Sequence, residues 1–423
     1  VYVADSRASN PSAPASAEGA ARPTAGRRRA AVAPTVLALG TVSLVTDVSS
    51  EMVTAVLPLY LVTGLGLSPL GFGLLDGIYN GFSAVVRLVG GHLADRGGGR
   101  HKWVAGLGYG VSALCKPLLL VAHSLTPIGL ILAADRTGKG LRTAPRDALI
   151  SLSSTPENRG RAFGVHRAMD TAGALLGPLV AFLILRATVD GYDAVFTVSF
   201  CVAVLGVLVL VLFVPGGRGE RAGDGARPTL RAAVGLLRRR DLRRITLCAL
   251  LLGLATVSDS FVYLLLQRRL GVPDRWFALL PLGTAAAFLL LAMPLGRLAD
   301  RVGRWAVFLA GHGALLVAYA LLLTSWHGSA LPYVVLALHG GFYAATDGVL
   351  MAAASEGVPE ALRSSGLALV QTGQALARFA CSLLFGAAWT VWGDRAALAG
   401  AAGALVACAV FSLVVRPKGT VTA

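Results

Sequence analysis

Asp47 and Glu51 stand four residues apart in an apolar stretch, which puts both carboxylates on one face of a helix. Farther along, "LAADRTGKGLRTAPRDALISL" (132–152) packs Asp135, Arg136, Lys139, Arg142, Arg146 and Asp147 into a short space. Acids beside bases in dry surroundings can bind and release a proton: a nearby cation favours the carboxylate, and withdrawing it favours proton uptake. That chemistry gives the proton to Asp47 or Glu51 and its control to Arg136 or Lys139. Wound as a helix, the second stretch gathers most of its charge on one face, with Arg142 at the edge, a pattern for which a loop would have no need. A fixed ion-pair network holding helices together is the competing account. It suits Arg142, Arg146, Asp147, Arg167 and Asp170 better, because near a helix end snorkelling and interface pairing suffice.

The setting of these charges is a membrane. The 423 residues are 55% hydrophobic and 14% charged, against about 25% charged in soluble domains. Apolar runs at 195–214 and 396–415 have the length of about 20 residues that a crossing helix needs. An ionised side chain at mid-bilayer costs at least ~2.5–3.5 kcal/mol, so these charges must face protein or water and find partners. Asp47 and Glu51 lie about 18 Å into the first span and Arg136 about 13 Å into the fourth from the opposite side, at comparable depth. Asp76, Arg87 and Lys116 are further intramembrane candidates, and the later part of the chain adds Asp259, Asp347, Gln371, Gln374 and Arg378.

Twelve spans are expected, at 35–63, 71–94, 103–123, 127–150, 162–186, 193–214, 245–267, 275–298, 305–325, 331–354, 365–389 and 396–415. The fold class is therefore an all-α membrane protein with twelve transmembrane helices in two six-helix, pseudo-symmetric bundles, 35–214 and 245–416. Residues 1–34 and 417–423 are expected as cytoplasmic tails, the first of them disordered. Between the bundles, 215–244 is expected as a cytoplasmic linker with an amphipathic segment. Lys and Arg concentrate in the segments that share a side with the termini, which places both ends in the cytoplasm. "GHLADRGGGR" (91–100) recurs as "GRLADRVGR" (296–304), each after the second span of its half. Such parallel repeats place a substrate site between the halves at mid-depth. Asp95 and Asp300 could each meet a helix N-terminus and nearby arginines while the glycines let helices approach, latching one state.

Other classes of function fit poorly. The net charge of +16 lies in short segments between spans and forms no nucleic-acid-binding face. "RTGKGLRT" lacks the upstream glycine and following hydroxyl of a phosphate-binding loop. Seven scattered histidines and five cysteines in apolar segments offer no H-E-x-x-H and no metal spacing, so no enzyme, cofactor, metal or disulfide is expected. A membrane receptor would not need so many deep charges.

Over Thr35 to Arg416 the chain resembles the major facilitator superfamily. Gly296, Asp300, Arg301, Gly303 and Arg304 match its loop signature, and Gly91, Asp95, Arg96 and Gly98 match it in the first half, where Gly99 displaces Arg100. Arg136 and Gly140 are similar to the family's pattern in the fourth span. Gly173, Gly177 and Pro178 are similar to the signature of drug and proton antiporters, with Ala181 and Phe182 in place of its trailing glycines. "VTDVSSEM" and "HRAMDTAG" resemble a bacterial branch of these transporters. The resemblance implies the major facilitator fold and a monomeric, multi-pass plasma-membrane transporter moving a small molecule by alternating access. Its partners would be the substrate, protons and the lipid bilayer. Export of an organic molecule or drug by proton antiport is the leading expectation, and import of an organic anion or metal chelate by proton symport is the alternative. Coupling is expected from the first half, with Asp259 and Asp347 of the second forming more of the substrate wall.

Overall fold

The computed structural model of the chain describes residues 33–96, 101–155, 158–189, 191–216, 235, 238, 240–325, 328–356 and 363–415. Most of both expected tails and most of the 215–244 linker therefore lie outside the described residues. The first bundle comprises α1 (Pro34–Leu59, continued as a π-turn over Tyr60–Gly64), α2 (Pro69–Arg96), α3 (His101–Val121), α4 (Leu125–Leu152), α5 (Arg159–Ala187) and α6 (Gly191–Phe213). The second comprises α7 (Arg240–Leu254), α8 (Asp259–Leu270), α9 (Asp274–Phe277), α10 (Leu280–Val302), α11 (Arg304–Leu323), α12 (Leu331–Glu356) and α13 (Arg363–Val414).

Long apolar runs without cheap partners for their backbone must form helices, since each N–H and C=O has to be satisfied within the segment. Among the described residues, nine helical segments are long and apolar enough to cross a membrane. Helices α2 and α4, each of 28 residues, have spanning length but carry more polar side chains. The last apolar segment, Leu369–Val414, has 46 residues, about 69 Å of helix against a hydrocarbon layer of about 30 Å. It doubles back at Gly393, whose φ of 83° and ψ of 167° only glycine adopts without strain.

Within the first bundle α1 packs on α5 and α6, α2 on α4, and α3 on α4 and α6. In the second, α12 packs on α10 and α11, and α7 on α13. The bundles meet chiefly through α2 and α13. The side on which α1 begins is the terminus side. There Val36, Leu39, Tyr109, Ile150 and Leu210 form a separate core joining α1, α3, α4 and α6. The close contacts between bundles lie toward the far side: Phe182 against Trp276, Phe72 against Phe261, and Leu70 N donating to Thr390 Oγ1 at 3.0 Å. Phe261 also meets Phe385 and Trp389, so an aromatic cluster joins the bundles on that side.

The expected seventh span, 245–267, is not one helix. It breaks at 255–258, and α8 restarts with Ser258 as its N-cap residue in extended backbone. The break leaves backbone groups without helical partners, and Val257 N donates to Tyr319 Oη of α11 at 2.8 Å. The eighth span is interrupted after α9, whereas α4 continues unbroken through Pro145. Helix α7 holds Arg243 and Arg244 in its opening turns.

Candidate functional site

Helices α1, α4 and α5 carry a ladder of charge along the first bundle. Toward the far side, Asp135 accepts from Lys116 Nζ at 3.1 Å and from Arg136 Nη2 at 2.6 Å, and the Arg136 guanidinium stacks 3.8 Å from the centre of the Tyr79 ring. All three charged groups are buried. Thr54 and Tyr79 share a short hydroxyl hydrogen bond that holds this ring. Nearer the terminus side, Arg142 Nη2 reaches Asp47 Oδ1 at 3.4 Å and stacks on Tyr109. Lowest on the ladder, Arg146 bridges Asp147 at 3.1 Å and Asp170 at 3.7 Å, and Arg167 holds the other Asp170 oxygen at 3.6 Å. Ser43 links His166 Nε2 at 2.8 Å to this group.

Glu51 and Lys139 stand apart from that pairing. Both line a cavity of about 290 Å³ between the bundles. Neither carboxylate nor ammonium makes an ion pair or side-chain hydrogen bond among the described residues. Each is still close enough to feel the other's charge. Arg136 thus turns to its own neighbour in sequence, and Asp47 to Arg142, whereas depth alone had matched Arg136 with Asp47 and Glu51. Rotation about the helix axes decides the partners.

The α1–α5 contact that carries these groups explains the glycine–proline motif. A Cβ on Gly173 would come within 2.4 Å of Leu44 O, and one on Gly177 within 2.6 Å of Glu51 Cβ. Bare glycine surfaces let the two helices touch backbone to backbone, with Pro178 buried just beyond them.

The second bundle closes the cavity with Asp259, Tyr263, Thr284, Tyr343, Asp347 and Arg378. The break in α7–α8 places Asp259 in the first turn of α8, where the helix end favours a carboxylate. Tyr343 Oη donates to Asp259 Oδ1, and His339 Nε2 lies 3.4 Å from the same oxygen. Arg378 Nη2 is 3.7 Å from Asp347 Oδ1. Although Asp259 sits between the bundles, 40% of its side chain is exposed, so it borders the open space of the cavity. His339, Tyr343 and Tyr79 escape a reading that sorts histidines by metal spacing and tyrosines as apolar. The signal available was the four-residue spacing of His339, Tyr343 and Asp347, which sets them on one face of α12.

The loop motifs are less tightly built. Gly91, Asp95 and Arg96 close α2, and their side chains lie outside the described residues. Asp300 bonds Arg304, the first residue of α11, at 3.4 Å, and Arg304 also reaches Ala352 O at 3.3 Å. Arg301 is exposed. A Cβ on Gly296 would meet nothing within 4 Å, so close helix approach does not explain that glycine. The described residues hold no group of three or more His, Cys, Asp or Glu side chains fit for a metal.

Two helical bundles around a charged cavity are the architecture of a membrane transporter. A model of the Major Facilitator Superfamily matches residues 39–380 and, in an overlapping alignment, 277–422; the chain belongs to that superfamily. It is 29% identical over 381 residues to an uncharacterised MFS-type transporter of Methanocaldococcus jannaschii, covering 88% of this chain and 92% of the relative. An uncharacterised Mycobacterium tuberculosis protein is 34% identical over 182 residues, 43% of this chain and 41% of that one. Among solved structures, the nucleoside transporter NupG superposes with a TM-score of 0.78 at 14% identity over 90% of this chain and 98% of NupG. A bacterial homologue of the human lysosomal transporter Spinster, inward-facing and occupied, gives 0.71 at 16% identity over 90% and 96%. These two likenesses establish the fold.

Proposed function

We propose that this chain is a proton-coupled secondary transporter that holds a small polar organic solute in the central cavity and exports it by antiport. The observation that carries the reading is the pair Glu51 and Lys139, which line the cavity and make no ion pair or side-chain hydrogen bond among the described residues, while Arg136 and Asp347 in the same lining are paired. Intramembrane ionisable groups of this kind mark ion and solute paths. The lining carries charged groups, hydroxyls and an amide, including Thr54, Asn80, Thr143 and Tyr263, beside apolar Val257 and Phe288, which suits an organic solute with polar groups to engage. In this reading the terminus side is cytoplasmic, the membrane is the plasma membrane and the transporter works as a monomer. The aromatic cluster of Phe72, Phe261, Phe385 and Trp389 then lies toward the outer side.

Which of the two charges the solute engages fixes the direction. A solute group bound to the Glu51 carboxylate excludes the proton from it, and mutual exclusion at one site is antiport. The close seating of Glu51 on the Gly177 surface supports this assignment, since any movement of α5 is transmitted to that carboxylate. An anionic solute bound to Lys139 would instead draw the cation from Glu51 and favour proton uptake, which is symport. The buried cations Arg136 and Lys116 behind Lys139 favour this second reading. Asp259 and Asp347 supply the opposite wall in either case.

Everted membrane vesicles with an acidified lumen and a pH-quenched dye separate the readings. Dequenching when a polar solute from a panel of amines, zwitterions and organic anions is added outside is the antiport result. Deeper quenching would transfer the assignment to symport, and solute uptake with an unchanged dye signal would remove proton coupling altogether.

A further inference from the structure

Asp76 of α2 is only 6% exposed and faces the second bundle across the α2–α13 contact. Ser382 Oγ of α13 donates to its Oδ2 at 2.7 Å. Ser258 and Ser260, at the break between α7 and α8, face the same carboxyl group. Asp76 forms no ion pair among the described residues. Its surroundings explain why this matters. Around it α1 presents Thr54, Leu57 and Pro58, α4 presents Leu132, and Tyr79 on its own helix is the titratable group beside it. Helix α13 adds Cys381, and α8 adds Asp259, a charge of the same sign. Arg136 stands on Tyr79 and is already held by Asp135, and Arg378 pairs with Asp347.

A carboxylate that has hydroxyl donors but no cation is costly to bury, and a neutral carboxyl keeps hydroxyl partners at less cost. Opening the far side must part α2 from α13, which would hand Asp76 to water. Closing must bury it again. We propose that Asp76 is a second proton-coupling residue, which takes its proton from the far side and thereby lets α2 and α13 close over the cavity. This rests on the alternating-access reading above, but its consequence is a conformational equilibrium that exists without solute. The sign follows from linkage: the closed form binds the extra proton, so acid favours closure and rising pH favours opening.

The test is a spin-label distance between Leu70→Cys and Val391→Cys, on the far ends of α2 and α13, in liposomes without solute and in a background lacking the five native cysteines. Between pH 5 and pH 8 the closed-to-open ratio should fall, by at most about tenfold per pH unit for one proton. Asp76→Asn should hold the short distance throughout. Ser382→Ala, which removes a donor to the buried group, should keep the pH response with its midpoint at lower pH. A pH response that survives in Asp76→Asn, an unmoved midpoint in Ser382→Ala, or a distance in the unmutated background that ignores pH would each overturn the proposal. A pH-driven motion in a protein that moves no solute would count against the transport reading alone.

Discussion

Arg136 Nη2 lies 2.6 Å from Asp135 Oδ2, its neighbour in the chain, and the same carboxylate takes Lys116 Nζ at 3.1 Å through its other oxygen. One acid therefore serves two buried cations, and the trio acts as a fixed wall behind the cavity more than as a moving part. Removing that acid leaves both cations without a counter-charge. Asp135→Asn should destabilise the protein by about 3–5 kcal/mol, seen as a large drop in the melting temperature of the detergent-solubilised protein. Asp47→Asn, which strands one buried cation, Arg142, across a longer contact of 3.4 Å, should cost clearly less; equal losses would contradict the distinction.

Glu51 and Lys139 should behave differently, because their charged groups make no ion pair or side-chain hydrogen bond among the described residues. Lys139→Met should leave thermal stability nearly unchanged and move the pH optimum of transport upward, since without the cation the neutral carboxyl is favoured. Initial rates across a pH series check this, and an optimum that stays put or moves down would count against the pairing.

Gly177 is predicted from its contact to tolerate no side chain. Gly177→Ala sets a methyl within 2.6 Å of Glu51 Cβ and 2.9 Å of Val48 O, which α1 must yield to at about 1–3 kcal/mol. Reduced melting temperature and slower transport should appear together, whereas Gly296→Ala, with open space around its Cβ, should be close to neutral.

Tyr319 satisfies the broken backbone between α7 and α8. Tyr319→Phe should leave Val257 N without its acceptor and cost about 1–3 kcal/mol. Because Asp259 begins the helix after that break, solute affinity should fall as well. A stability loss with unchanged affinity would show that the break positions nothing in the cavity.

Much of this was legible in the sequence, for identifiable reasons. Apolar run length gave the helices, the "LADR" repeat gave the two halves, and helical spacing put the charges of α4 on one face. The break at 255–258 was hidden because apolar residues flank it on both sides, and the hydroxyl that captures its free N–H comes from α11. Partners of Arg136 were misassigned because depth is one coordinate and ion pairing needs three. The second-bundle cluster of His339, Tyr343 and Asp259 joins helices far apart in sequence, and only the spacing within α12 hinted at it.

The central claim is that Glu51 carries the proton exchanged for solute. Its most direct test is luminal pH in proteoliposomes during solute uptake, compared between the unmodified protein and Glu51→Gln, with solute exchange across equal concentrations measured in parallel. The expected result is luminal alkalinisation with the unmodified protein and none with Glu51→Gln, which should still exchange solute. Alkalinisation that persists in Glu51→Gln would contradict the claim.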